Sequence, residues 1–361
     1  MEELSRGRII LITGAAGYVG AMLVKHFCAL PHVEKVIGVD KEPLPEFLAS
    51  ETKLHYIHAN TADGSWQGSA KDRGVDTVIN TAWQIREIYG NHPLTWKWNI
   101  EGSDAVFDFA ISEASVKTLI HFSTVASYGA FKENTIEHRF TEDEPFREVE
   151  YLYAEEKRIS EVHLEEKVVT LPEDRNLSII VVRPAAITGP RGRFMRIRFG
   201  LQAALAGQLK DSFVYRIVSG LVSFVPVTPK WCRQFIHEDD VVGLIDTLVK
   251  KPATSRYQVF NICPPGDVVE GADMAKAVGK KTISVPPWFV RIAFFIFWHL
   301  TRGKVPTGKG AWKSYSYPIA VDGSKLTSVY GYEYQHESFD AFYYTDGAYE
   351  YSVPEEFRRS K

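Results

Sequence analysis

A buried strand, a glycine-rich turn and a helix follow one another near the start of this chain, and they constrain its fold more than any other feature. Residues 8–13 (RIILIT) contain a continuous apolar run at 9–12, as in a fully buried strand, and residues 21–27 have helical spacing. Between them lie Gly14, Gly17 and Gly20. Such glycines permit a tight turn, close approach of a pyrophosphate and close helix–strand packing. The G-x-x-G-x-x-G spacing differs from G-x-G-x-x-G, so a plain glycine turn is the alternative.

The end of the second predicted strand indicates which dinucleotide would bind. Residues 35–40 form this strand, and its last residue, Asp40, comes 20 residues after Gly20. A carboxylate at this place can accept hydrogen bonds from both ribose hydroxyls of an adenosine, and it repels a 2′-phosphate. Lys41 follows directly and opposes that repulsion. The sequence therefore favours NAD over NADP.

A tyrosine and a lysine one helical turn apart predict a catalytic base. Tyr153 and Lys157 lie in the run YLYAEEK, and a spacing of four puts both on one helix face. Opposite charges ~4 Å apart gain about 4 kcal/mol at an effective dielectric constant of ~20, so the ammonium is expected to lower the pKa of the phenol. Tyr151 precedes Glu155 by four residues, and that carboxylate would raise its pKa instead. We therefore predict Tyr153 as the base; an exposed helix face is the alternative.

These features, together with six further blocks, resemble the extended short-chain dehydrogenase/reductase family, which includes NAD-dependent epimerases and dehydratases of sugars. The resemblance covers the chain from residue 8 to about residue 335. It implies an α/β fold with a doubly wound parallel sheet of the Rossmann type. The further blocks are residues 98–103 (WNIEGS), 119–129 (LIHFSTVASYG), 182–190 (VRPAAITGP), 233–242 (RQFIHEDDVV), 257–262 (YQVFNI) and 322–326 (DGSKL).

The resemblance also implies roles for individual residues. The expected catalytic residues are Thr124, which would hold the substrate oxygen, Tyr153, Lys157 and Asn99, which would support the site. The expected cofactor contacts are Gly14, Gly17, Tyr18, Val19, Asp40, Asn60, Thr61, Thr81, Ala82, Trp83, Asn99, Tyr153, Lys157 and Pro184. Asp63 is the alternative to Asn60 for an adenine contact. The expected substrate contacts are Ser123, which is the alternative to Thr124, together with Thr124, Arg191, Arg193 and Arg233.

Two departures from the family pattern bear on the chemistry. Asn80 and Trp83 replace smaller or different residues in the fourth strand, and the bulky Trp83 falls near the expected nicotinamide end of the site. Val125 and Ala126 stand where sugar 4,6-dehydratases have an Asp-Glu pair that serves as acid and base. Neither side chain can move a proton, so dehydratase chemistry is disfavoured.

Two segments are open to more than one interpretation. Residues 190–198 contain four arginines, which indicate either a phosphate or carboxylate clamp or a solvated helix face. Residues 287–300 are almost entirely apolar but too short to span ~30 Å of hydrocarbon. We expect a buried or lid helix there. A helix that touches a membrane surface, an apolar substrate or a partner chain is the alternative.

Composition sets the remaining bounds. The formal net charge of the 361 residues is −3, which gives no basic footprint for nucleic acid. The three cysteines are widely spaced and indicate neither a disulfide framework nor a metal site. We expect a cytoplasmic homodimer with no metal. We also expect a dinucleotide-binding domain at residues 1–183 and 234–263, and a smaller, discontinuous substrate-binding region at residues 184–233 and 264–361.

The functional hypothesis is an NAD-dependent oxidoreductase or epimerase that acts on a secondary alcohol of a sugar nucleotide. The first alternative is a dehydrogenase of a bulky apolar alcohol, sterol-like or polyketide-like, which the aromatic residues at 288–298 favour. The second is a non-catalytic dinucleotide sensor, which the presence of Tyr153 and Lys157 disfavours.

Overall fold

The structure is a computed structural model that describes residues 7–192, 224–251, 253–277, 279–355 and 358. Its strands are β1 Arg8–Thr13, β2 Val33–Asp40, β3 Leu54–His58, β4 Thr77–Asn80, β5 Thr118–Phe122, β6 Ser178–Pro184, β7 Ala186–Thr188, β8 Phe224–Val227, β9 Cys232–Arg233, β10 Phe235–His237, β11 Tyr257–Ile262, β12 Val269–Glu270 and β13 Lys281–Ser284.

The helices lie between these strands and after them. They are α1 Tyr18–Ala29, α2 Ser65–Ala70, α3 His92–Trp96, α4 Gly102–Ser112, α5 Leu152–Val169, α6 Glu238–Lys250, α7 Gly271–Ala277, α8 Pro287–Leu300, α9 Ser324–Tyr330 and α10 Ser338–Tyr343. A π-helical turn, Lys97–Glu101, joins α3 to α4.

Seven strands form one parallel sheet in the order β11-β6-β5-β4-β1-β2-β3. From β1, the strands β2 and β3 follow toward one edge of the sheet. The chain then returns to β4, on the other side of β1, and continues toward the opposite edge, so the strand order reverses between β1 and β4. In open α/β sheets, ligands bind in the crevice outside the carboxyl ends of the strands at such a point. The doubly wound parallel sheet expected from the sequence is confirmed.

Both faces of the sheet are buried, which explains why its central strands consist mainly of apolar residues. On β1, Ile10 and Ile12 belong to one core cluster, with side chains of α1 and α6. Ile9 and Leu11 point the other way and pack with side chains of α4 and α5. This alternation fixes the register of β1, because a slip of one residue would exchange the two sets.

The first strand has the bounds that the sequence predicts. β1 occupies the predicted residues 8–13, and the block at residues 257–262 forms β11. Helix α1 begins at Tyr18, directly after Gly17, rather than at residue 21. Strand β4 ends at Asn80, earlier than the predicted run to residue 83, because the chain there leaves the sheet and passes close to Gly14.

Three short strand pairs lie outside the main sheet. β7 pairs with β10 and β8 with β13, both in parallel, and β9 pairs with β12 in antiparallel fashion. Within the described ranges, no helix is both long and apolar enough to cross a membrane.

Candidate active site

The glycine-rich turn joins β1 to α1 at the carboxyl edge of the sheet. Gly14 has φ +71°, a conformation that favours glycine, and Gly17 N–H donates to Gly14 O at 2.9 Å. A Cβ added to Gly20 would lie 2.1 Å from Gly14 O, so only glycine allows the helix to pack this close to the turn. Gly17 is the N-cap and has no side chain to cover the first turn of α1. The turn is thus built like an anion site at a helix N-terminus.

Asp40 ends β2 beside this turn. Its carboxylate accepts hydrogen bonds from Ala16 N–H and Glu42 N–H, both at 2.9 Å. Burial raises the pKa of Asp40, and these two backbone hydrogen bonds oppose that effect. The carboxylate therefore connects the turn to the carboxyl end of β2, where an adenosine ribose is expected.

Other predicted cofactor residues make contacts within the protein at the same carboxyl edge of the sheet. Thr81 donates its hydroxyl to Thr13 O at 2.6 Å, and the backbone of Ala82 lies so close to Gly14 that an added Cβ would meet it at 2.7 Å. Asn60 accepts from Ala62 N–H at 2.9 Å and so caps its own turn. Thr61 is buried next to that turn.

Three further predicted cofactor residues lie around this edge. Tyr18 donates its hydroxyl to the buried Glu238, and Val19 packs against the core. Pro184 ends β6 opposite Ile262. Asp63, the alternative to Asn60, lies 3.6 Å from Lys97 in an exposed pair.

Lys157 is held away from solvent by a carbonyl and an indole ring. Its ammonium donates to Phe122 O and lies 3.6 Å from the centroid of the Trp83 ring. Burial lowers the pKa of Lys157 to about 7, while the charges of Glu161 and Glu156 oppose the shift. The carbonyl and the indole face also favour the ammonium form. The Nε1 of Trp83 is buried with no hydrogen-bond partner among the described residues.

Tyr153 and Thr124 meet at the carboxyl end of β5. Thr124 Oγ1 accepts from Ala126 N–H at 3.2 Å. Burial raises the pKa of Tyr153, and the nearby Thr124 side chain opposes this rise. The expected lowering of that pKa by Lys157 is therefore wrong for this structure, because the ammonium is directed to Phe122 O and Trp83.

Tyr151, the alternative base, lies at the N-cap of α5. Its ring centroid is 5.7 Å from that of Tyr153. Burial raises its pKa strongly, and the neighbouring Tyr153, Tyr315 and Glu148 add to the rise. The direction agrees with the sequence prediction, although Glu155 is not the cause. Thr124, by contrast, acts on the pKa of Tyr153 and not on that of Tyr151, which distinguishes the two tyrosines.

Asn99 connects the loop after β4 to helix α5. It is fully buried within the π-helical turn, a feature often found at functional sites. Its side-chain oxygen accepts from Gln84 N–H at 2.7 Å, and its amide donates to Gln84 O at 3.1 Å and to Glu156 Oε2 at 2.6 Å. Gln84 follows Trp83 in the chain, and Glu156 precedes Lys157. By binding Gln84 and Glu156, Asn99 therefore fixes the positions of Trp83 and Lys157 relative to each other.

Glu148 is a site residue that the sequence did not reveal. Its Oε1 accepts from Val149, Glu150 and Tyr151 N–H and lies 3.3 Å from Lys313 Nζ. It thereby fixes the start of α5. A carboxylate in a charge-rich loop is ordinarily solvated, and its partner Lys313 comes 165 residues later in the chain, so no local pattern marks it.

The predicted substrate contacts fall into different places. Arg233 donates to Ser314 O at 3.1 Å, and its charge acts on Tyr151, which places it near the catalytic helix. Ser123 is buried beside Thr124, and its hydroxyl has no hydrogen-bond partner among the described residues.

Arg191 lies elsewhere in the fold. It is buried over the Phe47 ring, 4.6 Å from its centroid, and donates to Ser352 Oγ at 3.0 Å. These contacts are on the α1 and β2 side of the crevice, and they give no support to a substrate contact. Arg193, with the two arginines after it, lies outside the described residues.

Comparison with known proteins agrees with this architecture. The sequence model of the NAD dependent epimerase/dehydratase family matches residues 10–263, which confirms the resemblance found in the sequence and, with it, NAD as the expected cofactor. The dTDP-glucose 4,6-dehydratase of Bacillus anthracis, solved with NAD, superimposes with a TM-score of 0.68 at 16% identity, covering 97% of this chain and 98% of that one.

Two further proteins are similar over part or most of the chain. The UDP-glucuronic acid 4-epimerase of Bacillus cereus, solved with UDP-glucuronic acid and NAD, has a TM-score of 0.65 at 16% identity, with 93% of this chain and 98% of that one covered. The 3 beta-hydroxysteroid dehydrogenase/Delta 5→4-isomerase of vaccinia virus is 23% identical over 197 residues, which are 52% of this chain and 55% of the viral protein.

Proposed function

This chain belongs to the NAD dependent epimerase/dehydratase family, and from that premise we propose that it oxidises a secondary alcohol carbon, or inverts it, with NAD and with Tyr153 as the proton-transferring residue. The observation that carries the proposal is the proximity of the Thr124 side chain to the phenol of Tyr153, where it opposes the rise in the pKa of that phenol. It brings together the two hydroxyls that can hold one substrate oxygen. Lys157 lies one helical turn further along α5.

The residues at the sheet edge fit a dinucleotide. Gly14, Gly17 and Gly20 leave the backbone of the turn uncovered beside the N-terminus of α1, and Asp40, at the end of β2, would accept hydrogen bonds from the adenosine ribose. NAD, when bound, supplies the nicotinamide carbon that accepts the hydride. Thr81 and Ala82 would border the nicotinamide side, because they pass over Gly14.

Side chains of the protein itself would remove the proton of the substrate hydroxyl. Thr124 and Tyr153 hold the substrate hydroxyl, and Tyr153 removes its proton as the hydride leaves the carbon. Because burial raises the pKa of Tyr153, the phenolate needs a neighbouring positive charge. Lys157 can provide that charge, and bind the nicotinamide ribose, if its ammonium moves from beneath Trp83.

A sugar nucleotide is the first proposed substrate class. The similar structures from Bacillus anthracis and Bacillus cereus are enzymes of dTDP-glucose and UDP-glucuronic acid. Arg233 lies near Tyr151 and offers a guanidinium for a phosphate or carboxylate. Val125 and Ala126 carry no acid or base, so we propose epimerisation or oxidation rather than loss of water.

A bulky apolar alcohol is the second candidate, favoured by helix α8. Phe294 of α8 packs on Tyr315, with ring centroids 5.2 Å apart, and Tyr315 in turn neighbours Tyr151. The helix thus brings aromatic surface to the catalytic region. The similar vaccinia virus protein is named as a steroid dehydrogenase.

The experiment that tests the function compares two substrate panels. Wild-type protein and Tyr153→Phe are incubated with NAD and either sugar nucleotides or sterol-like alcohols, while NADH absorbance and the stereochemistry of the product are followed. An epimerase converts a sugar nucleotide with no net NADH, whereas a dehydrogenase accumulates NADH in proportion to product. Mass spectrometry of any co-purifying small molecule narrows the panel. No reaction with either panel would contradict the proposal.

A further inference from the structure

Helix α8 presents an apolar face to solvent. None of its 14 residues is buried, and seven large apolar side chains are exposed: Trp288, Phe289, Ile292, Phe295, Ile296, Phe297 and Leu300. Phe295 and Leu300 are 65% and 77% exposed. Single exposed apolar residues are ordinary, but a contiguous set of this size indicates a surface that is covered in use.

The opposite face of α8 is the one that holds the helix to the protein. Trp298 packs on Tyr89 with ring centroids 5.5 Å apart, and Phe294 packs on Tyr315 at 5.2 Å. The two contact residues are four positions apart and so lie on one side of the helix. The exposed residues therefore face away from the body of the protein. The expectation of a buried helix is wrong, because no residue of α8 is buried and its contacts with the body of the protein leave the large apolar side chains exposed.

The charge around α8 indicates what covers the face. From residue 274 to residue 321 the sequence contains no Asp or Glu, although the whole chain has a net charge of −3. The same stretch contains eight basic residues: Lys276, Lys280, Lys281, Arg291, Arg302, Lys304, Lys309 and Lys313. Arg302 and Lys304, just beyond the end of the helix, are exposed. Lys313 faces inward, toward Glu148 and Glu150.

We propose that the exposed face of α8 docks on a bilayer surface rich in anionic phospholipid. Aromatic and aliphatic side chains on one face with basic residues at the flanks are the features of a helix that lies in the headgroup region. The 14 residues of α8 extend about 21 Å, and the face runs along this length, so the helix docks parallel to the membrane plane. Basic residues near the surface add attraction to anionic lipid.

This docking face adjoins the candidate active site. The chain that follows α8 passes so close to the start of α5 that a Cβ on Gly310 would lie 2.5 Å from Tyr151 N. Docking would therefore bring the catalytic helix near the bilayer. The proposal rests on exposure and charge and is independent of which alcohol the enzyme uses.

The test is vesicle co-sedimentation of the full-length protein. Vesicles of phosphatidylcholine alone are compared with vesicles that also contain phosphatidylserine. We expect binding to the anionic vesicles that weakens as salt is added. The double variant Phe295→Glu/Ile296→Glu should reduce the partition coefficient by about tenfold or more, and Arg302→Glu/Lys304→Glu should reduce it on the anionic vesicles by a similar factor.

The matched control is Val169→Glu. Val169 is 85% exposed at the far end of α5, so this change adds a negative charge away from α8 and should leave binding unaltered. Circular dichroism checks that each variant is folded. We expect each to fold, because the substituted positions are exposed. Absence of binding by the wild-type protein would overturn the proposal, as would equal loss in the control. A dimer that dissociates in Phe295→Glu/Ile296→Glu, with no vesicle binding, would assign the face to a second copy of the chain instead.

Discussion

The ammonium of Lys157 lies 3.6 Å from the centroid of the Trp83 ring and donates to Phe122 O. This contact joins the loop after β4 to helix α5 and covers the cation that the proposed chemistry uses. Lys157 can reach a nicotinamide ribose or the phenol of Tyr153 only if the indole and the ammonium separate. We therefore expect this contact to compete with NAD.

Removal of the indole should strengthen NAD binding. A cation–π contact contributes about 0.5–2 kcal/mol. Trp83→Ala is therefore expected to lower the Kd for NAD by roughly 2- to 30-fold, measured by calorimetric titration. Trp288→Ala, at an exposed position on α8, is the control and should leave the Kd unchanged. Weaker binding by Trp83→Ala would show that the indole supports the cofactor rather than competing with it.

The buried ammonium should also make stability depend on pH. The pKa of Lys157 is lowered from 10.5 to about 7 by burial. Between these values the unfolded chain binds more protons than the folded one, so the free energy of unfolding should rise with pH. The rise is at most about 1.4 kcal/mol per pH unit, and below the folded pKa the full destabilisation is present.

The comparison of wild-type protein with Lys157→Met isolates this contribution. Denaturant unfolding across that pH window should give a smaller rise with pH in the variant, because the titrating group is gone. Parallel pH profiles for the two proteins would mean that the carbonyl of Phe122 and the ring of Trp83 keep Lys157 charged throughout.

Asp40 should determine the preference for NAD over NADP. Asp40→Ala removes hydrogen-bond acceptors for the ribose and the repulsion of a 2′-phosphate. Hydrogen bonds to charged groups contribute about 1.5–3 kcal/mol, so the affinity for NAD should fall by about tenfold or more. The difference between the affinities for NAD and NADP should become smaller. Asp108→Ala, on the surface of α4, should change neither affinity. Equal binding of NAD and NADP by the wild-type protein would contradict the role of Asp40.

Gly20 should be intolerant of any side chain. A Cβ at this position would lie 2.1 Å from Gly14 O, so Gly20→Ala should displace α1 and weaken both folding and NAD binding. Gly68→Ala in α2 meets nothing within 4 Å and should raise the free energy of unfolding by up to about 1 kcal/mol. Thermal unfolding and NAD titration of the two variants check this. A Gly20→Ala protein with wild-type stability would contradict the close packing.

The sequence predicted those parts of the site in which the residues are separated by a fixed, short distance along the chain. Gly14, Gly20 and Asp40 occupy fixed offsets around one strand–turn–helix unit, and the four-residue spacing of Tyr153 and Lys157 is a property of any helix. The direction of the Lys157 ammonium is not local, because it depends on a carbonyl of β5 and on a ring from the loop after β4.

The sequence prediction failed where tertiary burial decided the outcome. The pKa of Tyr153 is raised by burial, and no pattern of neighbours in the sequence reports how deeply a side chain is buried. Glu148 meets Lys313 across 165 residues, so their pairing exists only in the folded chain. The exposed face of α8 depends on which other segments reach it, which hydropathy alone does not encode.

Tyr153 is proposed to transfer the proton, and variants of the two neighbouring tyrosines separate its role from that of Tyr151. With a secondary alcohol that the wild-type protein turns over, kcat and NAD affinity are measured for Tyr153→Phe and Tyr151→Phe. General acid–base groups contribute about 10²- to 10⁴-fold, so Tyr153→Phe should lose at least about a hundredfold in kcat while NAD affinity stays near that of the wild type. Tyr151→Phe should retain most of its activity. An active Tyr153→Phe protein, or a Tyr151→Phe protein that is inactive although it binds NAD normally, would contradict the account.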